Sequence, residues 1–169
     1  MGIHFTSGDR ILGYCDSDYA GSGPLGKMKS TTGYVVIYAN GPVTWCSRKQ
    51  SVVATSTTEA EYISAAECCK DLQFLNTLFK ELTDTTPKID LHVDNQSAIK
   101  LIQSGQMNKR SKHIDVRFYF ISEAYDSKLF ELQYCPTGEQ IADILTKPLL
   151  STKFDKFRSA LCCKVPSQS

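Results

Sequence analysis

Four carboxylates stand where a globular chain ordinarily places apolar residues, and they constrain the fold more than any other feature. Asp16 ends the run ILGYCD and Asp94 ends IDLHVD, while Asp143 interrupts IADIL. Glu61 opens the apolar stripe of a long helical segment. A buried carboxylate is costly unless it is paired or holds a cation. Four such costs within 169 residues, the length of one domain, call for a fold that brings the acids together around a shared cation.

The segment between the first two acids sets the local structure. A strand is expected at roughly 10–15, followed by the Gly-, Ser- and Asp-rich loop DSDYAGSGPLGKMKST. GYVVIYA and PVTWCS flank Asn40–Gly41, a pair that accepts positive φ and predicts a hairpin. Pro42 cannot donate to a ladder, so its strand belongs at a sheet edge or begins there. Ser56 and Glu59 fit a capping box that opens a helix over 57–82. Along it Glu61, Ala65, Cys68, Leu72, Leu75, Phe79 and Leu82 step by four and three, a core-facing stripe with an acid at its start. A three-heptad coiled-coil seam is the plainer reading, but it is short and lacks flanking charges. Glu61 reaching off the end of the stripe to water is another.

Beyond Pro87, Ile89, Leu91 and Val93 alternate as a strand, Asp94 follows, and 95–103 reads as a helix closed by Gly105. Asp94 also suits the N-cap of that helix. The stretch 113–125 fits either periodicity, and its length favours a helix. LFELQYC is a strand. Thr137 and Gln140 predict a capped short helix, stopped by Pro148. A last helix from about Ser151 sets Phe154, Phe157 and Leu161 on one face. The order β, β, β, α, β, α, α, β, α, α implies an α/β fold: a mixed five-stranded sheet, three antiparallel strands and then parallel βα units, flanked by helices.

The bulk numbers narrow the setting. At 41% apolar the chain can bury a core, and with net charge +1 any nucleic-acid contact has to come from local basic patches. Seven cysteines without regular spacing, and no secretory leader, point to an intracellular, reducing setting with free thiols. Cys68–Cys69 and Cys162–Cys163 read as core or surface thiols, since zinc sites rarely use adjacent pairs without nearby partners. No apolar run reaches the roughly 20 residues of a spanning helix, so no membrane partner is expected.

If the first and fourth strands are parallel neighbours, Asp16 and Asp94 meet at their C-terminal ends, where ligands of α/β sheets gather. Helices packed over that end could add Glu61 and Asp143. Carboxylates without supporting His or Cys ligands suit hard cations such as Mg²⁺ or Mn²⁺. Four acids can hold two ions, the arrangement for displacement at phosphorus. Crowded carboxylates repel without metal, so Mg²⁺ is expected to raise the melting temperature, and removing one acid, Asp143→Asn included, to stabilise the metal-free chain.

The residues that carry these acids match a known family. GYCDSDYAGS, STTGYVVIYANGPVTWCSRKQ, VVATSTTEAEYISAAE, DNQSAI, KHIDVRFYFI, PTGEQIADILTKPL and FDKFRSAL cover nearly the whole chain in the family's order. The sequence resembles the ribonuclease H domain of copia-type LTR retrotransposon Pol polyproteins. The resemblance implies a ribonuclease H-like fold that cleaves the RNA strand of RNA–DNA hybrids with two Mg²⁺, Mn²⁺ substituting, during reverse transcription. It implies Asp16, Glu61, Asp94 and Asp143 as catalytic and metal-binding residues. It also implies the reverse transcriptase domain of the same polyprotein as a partner, and a cytoplasmic (virus-like particle) or nuclear location. Residues 1–9 read as a lead-in from the reverse transcriptase connection, 10–163 as the domain and 164–169 as a tail; the initial Met fits a fragment or a stand-alone reading frame.

Rivals exist at two positions. Asp18 competes with Asp16, and Glu59 competes with Glu61, although Glu59 fits the cap. The stretch CPTGEQ lacks the His of the loop that many cellular ribonucleases H carry. His113 is an alternative for its role, or is bonded to backbone. Lys109 to His113, Arg117, Arg48–Lys49 and Lys27–Lys29 are basic patches able to follow phosphates, or else solvated loops. Ser17, Asn95, Gln96, Lys112 and His113 are candidate substrate contacts, with selection of RNA requiring the 2′-OH. A catalytically silent or co-opted remnant that binds nucleic acid or a partner is the competing function. An integrase-type transferase fits the motifs less well.

Overall fold

Antiparallel pairing begins the fold, with a two-residue turn at Ala39 and Asn40 joining the second and third strands. In a computed structural model that describes residues 2–20, 29–105 and 119–162, β1 (Arg10–Asp18) pairs with β2 (Thr31–Tyr38), and β2 with β3 (Gly41–Lys49). The helix α1 (Thr57–Thr83) then crosses the sheet so that β4 (Lys88–Val93) pairs with β1 in parallel, and β5 (Glu131–Tyr134) adds parallel to β4. The order is β3-β2-β1-β4-β5, the mixed five-stranded sheet expected. Three further α-helices, α2 (Gln96–Ser104), α3 (Phe120–Asp126) and α4 (Ser151–Leu161), and a 3-10 helix (Ile141–Leu145) complete the element order read from the sequence.

Local chemistry explains several boundaries. The hairpin turn lies one residue before the expected Asn-Gly pair: Ala39 and Asn40 take φ of 50° and 62°, and Gly41 already pairs with Tyr38. Gly41 is needed for space, since a Cβ there would come within 2.6 Å of the Phe5 ring. Pro42 lies in the edge strand β3, as its missing N–H requires, beside a register shift at Val36/Ile37. The Ser56 hydroxyl accepts from the Glu59 N–H and opens α1. Gly105, at φ 59°, closes α2 and donates its N–H to the Leu101 carbonyl.

The core lies between α1 and the sheet. Ile11, Cys15, Val36, Leu91 and Val93 meet Ala65, Cys68, Cys69 and Leu72, all buried. The apolar stripe of α1 does not stay buried to its end: Leu75 and Phe79 are partly covered and Leu82 is 75% exposed. A helix of this length runs about 40 Å, against about 30 Å for a nine-residue strand, so its last turns overrun the sheet. Among the aromatic residues of α4 only Phe157 is buried, while Phe154 is 42% exposed. Cys68 and Cys69 are buried and free, burial pushing both thiols up, Cys69 to about 12. Cys162 is also free, and Cys163 lies outside the described residues. The helix expected at 113–125 is described only from Phe120. Among the described residues no helix is long and apolar enough to cross a membrane.

Candidate active site

Parallel pairing of β1 and β4, in register from Arg10↔Lys88 to Cys15↔Val93, brings the C-terminal ends of both strands together. Asp16 and Asp94 therefore meet there, and the first turn of α1 brings Glu61. One carboxylate oxygen from each lies within 4.8 Å of the others. Asp16 is 2% exposed and Glu61 is 6% exposed.

Separate groups fix each acid. The backbone N–H and hydroxyl of Ser17 both donate to Glu61 Oε1, at 3.0 and 2.8 Å. Glu61 Oε2 is buried and has no hydrogen-bond partner among the described residues. Thr146 donates its hydroxyl to Asp16 Oδ2, and Thr137 donates to Asp94 Oδ2 at 3.1 Å. Ser64, fully buried on α1, donates to the carbonyls of Asp16 (2.7 Å) and Gly33 (3.2 Å), joining the helix to β1 and β2 behind the acids.

Burial, chiefly, pushes the Asp16 carboxyl up to about 6, against the lowering effect of Thr146 and Lys147. Burial and the charges of Asp16 and Asp94 drive Glu61 well above the ordinary carboxylate range. Asp94 is raised too, mainly by burial.

The fourth acid is held differently. Asp143 is fully buried on the 3-10 helix, with Lys147 Nζ at 2.9 Å from Oδ1 and Lys153 of α4 bonded to Oδ2. Lys147 also lies 3.6 Å from Asp16 Oδ2 and so bridges the two carboxylates. Burial alone would raise Asp143, but Lys153 and Lys147 outweigh it and hold its carboxyl low. Asp143 thus borders the cluster without joining the three acids that share 4.8 Å.

Asp143→Asn would leave two partly buried ammoniums facing an amide. The expectation that this substitution stabilises the metal-free chain is therefore corrected: it removes two ion pairs instead of relieving repulsion.

The 3-10 helix reaches Asp16 because β2 makes room for it. Gly33 pairs with Asp16 across the β1–β2 ladder. A Cβ at Gly33 would collide with the Thr146 methyl and lie 3.0 Å from Leu145 Cβ and 3.2 Å from the Ala142 carbonyl. Ser47 of β3 donates to the Leu145 carbonyl at 2.6 Å, and Gln140 Nε2 to the His92 carbonyl at 3.3 Å. Gly33→Ala is accordingly expected to push the helix outward, part Thr146 from Asp16, and cost about 1–3 kcal/mol by overpacking. A denaturant midpoint equal to wild type would refute this.

The structure separates the rival acids. Asp16 joins the cluster; Asp18, two residues on, is less buried and lies outside it. Glu59 accepts from the N–H (2.7 Å) and hydroxyl (2.6 Å) of Thr55, which places it at the cap. Asp94 is not the N-cap of α2: Asn95 is, its side chain accepting from the Ala98 N–H at 3.0 Å, and this leaves Asp94 to the cluster.

The same comparison locates the expected substrate contacts. Ser17 turns its hydroxyl to Glu61, Asn95 caps α2, and Gln96 is exposed at the start of α2. Lys112 and His113, with Lys109, Arg110 and Arg117, lie outside the described residues. The short late helix is capped by Gln140, whose side chain accepts from the Ala142 N–H, while Thr137 is drawn off to Asp94.

Gly33, Thr146, Lys147 and Lys153 were not singled out from the sequence. Only Lys147 carried a local signal, standing four residues after Asp143 on a helical face.

No family model matches the chain. Solved structures match its fold. The N-terminal RNase H domain of a Mycobacterium tuberculosis protein superposes with a TM-score of 0.58 at 14% identity, covering 91% of this chain and 99% of that one. A ribonuclease H1 isolated from compost does so at 0.58 and 18%, covering 88% and 97%. The fold is therefore that of ribonuclease H.

Several curated relatives are Pol polyproteins. That of transposon TNT 1-94 from Nicotiana tabacum is 40% identical over 152 residues, which is 89% of this chain and 11% of the relative. That of transposon RE1 from Arabidopsis thaliana is 35% identical over 95% of this chain and 11% of its own length. The chain spans about a tenth of the length of these relatives. Fold and homologues together fit the ribonuclease H domain of a copia-type retrotransposon Pol polyprotein.

Proposed function

We propose that the chain is a divalent-metal-dependent endoribonuclease that hydrolyses the RNA strand of RNA–DNA hybrids, working within a Pol polyprotein during reverse transcription. One observation carries the reading: the buried carboxylates of Asp16 in β1 and Glu61 in α1 converge within 4.8 Å with the half-buried Asp94 just past β4, and among the described residues Glu61 Oε2 has no partner. Such a set without His or Cys suits Mg²⁺ or Mn²⁺. The compost ribonuclease H1 of the same fold has been solved in complex with an RNA/DNA hybrid, at a TM-score of 0.56 and 17% identity, covering 80% of this chain and 93% of that one.

Asp16, Glu61 and Asp94 would hold one ion. Asp16 and Asp143 would hold the second, where an ion has to replace ammonium contacts from Lys147 and Lys153. Bound divalent cations supply a lowered pKa for the attacking water and neutralise charge on the leaving oxygen. The chain's own residues orient this chemistry. Ser17 fixes the face of Glu61, Thr137 that of Asp94, and Thr146 that of Asp16. Lys147 and Lys153 place positive charge beside the site, where a phosphodiester would lie.

Residues 10–163 form the catalytic unit, residues 1–9 the connection to a reverse transcriptase domain and 164–169 a tail, in an intracellular setting that includes virus-like particles and the nucleus. Labelled hybrid incubated with the purified chain in Mg²⁺ or Mn²⁺ tests the reading. Cleavage confined to the RNA strand is expected; hybrid left intact by both the isolated chain and a fusion to its reverse transcriptase domain would sink it.

A further inference from the structure

The last helix is fastened to the chain mainly through the acidic site. α4 has 11 residues, fewer than the roughly 12–15 an isolated helix needs in water, and no side chain caps its N-terminus. Its helicity therefore depends on docking. It packs chiefly against the 3-10 helix that carries Asp143. Phe157 is its one buried residue, while Leu150 just before it and Phe154 within it stay exposed.

Two lysines supply polar anchors. Lys156 donates to the Gly138 carbonyl at 2.8 Å. Lys153 donates to the Thr137 carbonyl at 3.0 Å and to Asp143 Oδ2, and its ammonium lies 5.2 Å from the centre of the Phe157 ring. Thr137 in turn donates its hydroxyl to Asp94. One side chain thus joins α4 to Asp143, to the loop that holds Asp94, and to the helix's own buried aromatic.

The two ammoniums on Asp143 differ in what they can transmit. Lys147 stands four residues after Asp143 in the same segment, so its withdrawal is a local side-chain movement. Lys153 comes from another helix, and its withdrawal loosens that helix. A Mg²⁺ ion binds a carboxylate oxygen at about 2.0–2.1 Å. An ammonium on the same oxygen would face a divalent charge across a few ångströms, and like charges so close repel. Oδ2 of Asp143 can serve a divalent cation or Lys153, not both.

We propose that Lys153 is a latch: it docks α4 at the site while Asp143 is free of metal, and a divalent cation on Asp143 displaces it and releases the helix. The proposal rests on the metal-binding reading of the acids and adds a conformational response outside them. Coupling of this kind is reciprocal, so the factor by which metal loosens α4 is the factor by which the docked helix weakens metal binding at Asp143.

The test uses the full chain. Hydrogen exchange is read by mass spectrometry on peptides from α4 and α1, in EDTA and at saturating Mg²⁺ or Mn²⁺, and calorimetry counts the ions bound. In wild type, metal is expected to speed exchange in α4 by about tenfold and to leave α1 unchanged or slower. Lys153→Met is expected to show the faster α4 exchange already in EDTA, no further change with metal, and a second ion bound about tenfold more tightly. Lys156→Met loses an anchor that Asp143 does not share; its α4 exchanges faster than in wild type and keeps the metal response. One ion in wild type and a second only in Lys153→Met also supports the latch. Two ions bound by wild type with α4 exchange unchanged overturns it and leaves the metal reading standing. So does a metal response that persists in Lys153→Met, or a single ion in both proteins with α4 unmoved. No ion bound by any of the three sinks the metal reading and the latch with it.

Discussion

Asp94→Asn is expected to leave the chain folded and to lower the proposed Mg²⁺-dependent cleavage of an RNA–DNA hybrid by about 10³-fold or more. Asp94 stands just past the end of β4, and its side chain accepts a hydrogen bond from Thr137. An Asn at this position keeps an oxygen for Thr137, so the local structure survives. The charge that would hold an ion is lost. Metal-assisted hydrolysis draws several kcal/mol from charge stabilisation, and about 4 kcal/mol corresponds to about 10³ in rate. The check is single-turnover cleavage beside a far-ultraviolet circular dichroism spectrum of each protein. A folded variant that retains a tenth of wild-type activity would remove Asp94 from the catalytic set and break the convergence on which the reading depends.

The second large effect is on stability. Without metal, Glu61 is buried beside Asp16 and Asp94, and Oε2 lacks a partner among the described residues. Glu61→Gln keeps an oxygen for the two Ser17 donors and removes one negative charge. The metal-free chain is expected to gain about 1–3 kcal/mol, a rise of about 2–4 °C in Tm per kcal/mol for a chain of this size. Asp143→Asn has the opposite sign, because it strips Lys147 and Lys153 of their shared partner. A loss of about 1–2 kcal/mol is expected, below the cost of breaking a fully buried pair because both lysines are partly exposed. Under the proposed function, Mg²⁺ is expected to raise the Tm of wild type by mass action and to lose that effect in Glu61→Gln. Thermal melts with and without Mg²⁺ decide the matter; equal shifts in both proteins would show that Glu61 holds no ion.

The pH dependence follows from the same acids. Asp16 and Glu61 hold protons more tightly in the folded chain than in the unfolded one. Their contribution to metal-free stability is full below the unfolded carboxylate range. It is lost as pH rises through the folded values, the window for Asp16 running from 3.8 to about 6. Asp143, held low by its lysines, works the other way and withdraws support as pH falls. Metal-free stability should therefore decline between pH 4 and 6, and the protection given by Mg²⁺ should grow over the same interval. Chemical denaturation at pH 4, 5 and 6 in EDTA measures this, and rising stability across that range would contradict the buried state of Asp16 and Glu61.

Much of the fold was legible because its signals are local. Ser56 and Glu59 cap α1, Gly105 closes α2, and Pro42 marks an edge strand. Each depends on backbone groups within a few residues. The hairpin was displaced by one residue because Ala39 accepts positive φ there while Gly41 is reserved for the approach of Phe5. The apolar stripe of α1 predicts burial to Leu82, which is exposed, because periodicity carries no information on where the opposing sheet stops.

The acids divide along the same line. By itself the sequence determined which carboxylates stand among apolar neighbours, because burial of a charge leaves its mark in the residues beside it. That much pointed to Asp16, Glu61, Asp94 and Asp143 before any contact was visible. Only the tertiary structure decided how they are grouped. Three share one cluster, and the fourth is turned to Lys147 and to Lys153 from another helix. The seating of Asp143 depends on the missing side chain of Gly33, 110 positions earlier in the chain and across the ladder from Asp16. Contacts of that kind are set by packing between distant segments, and no pattern along a single segment records them.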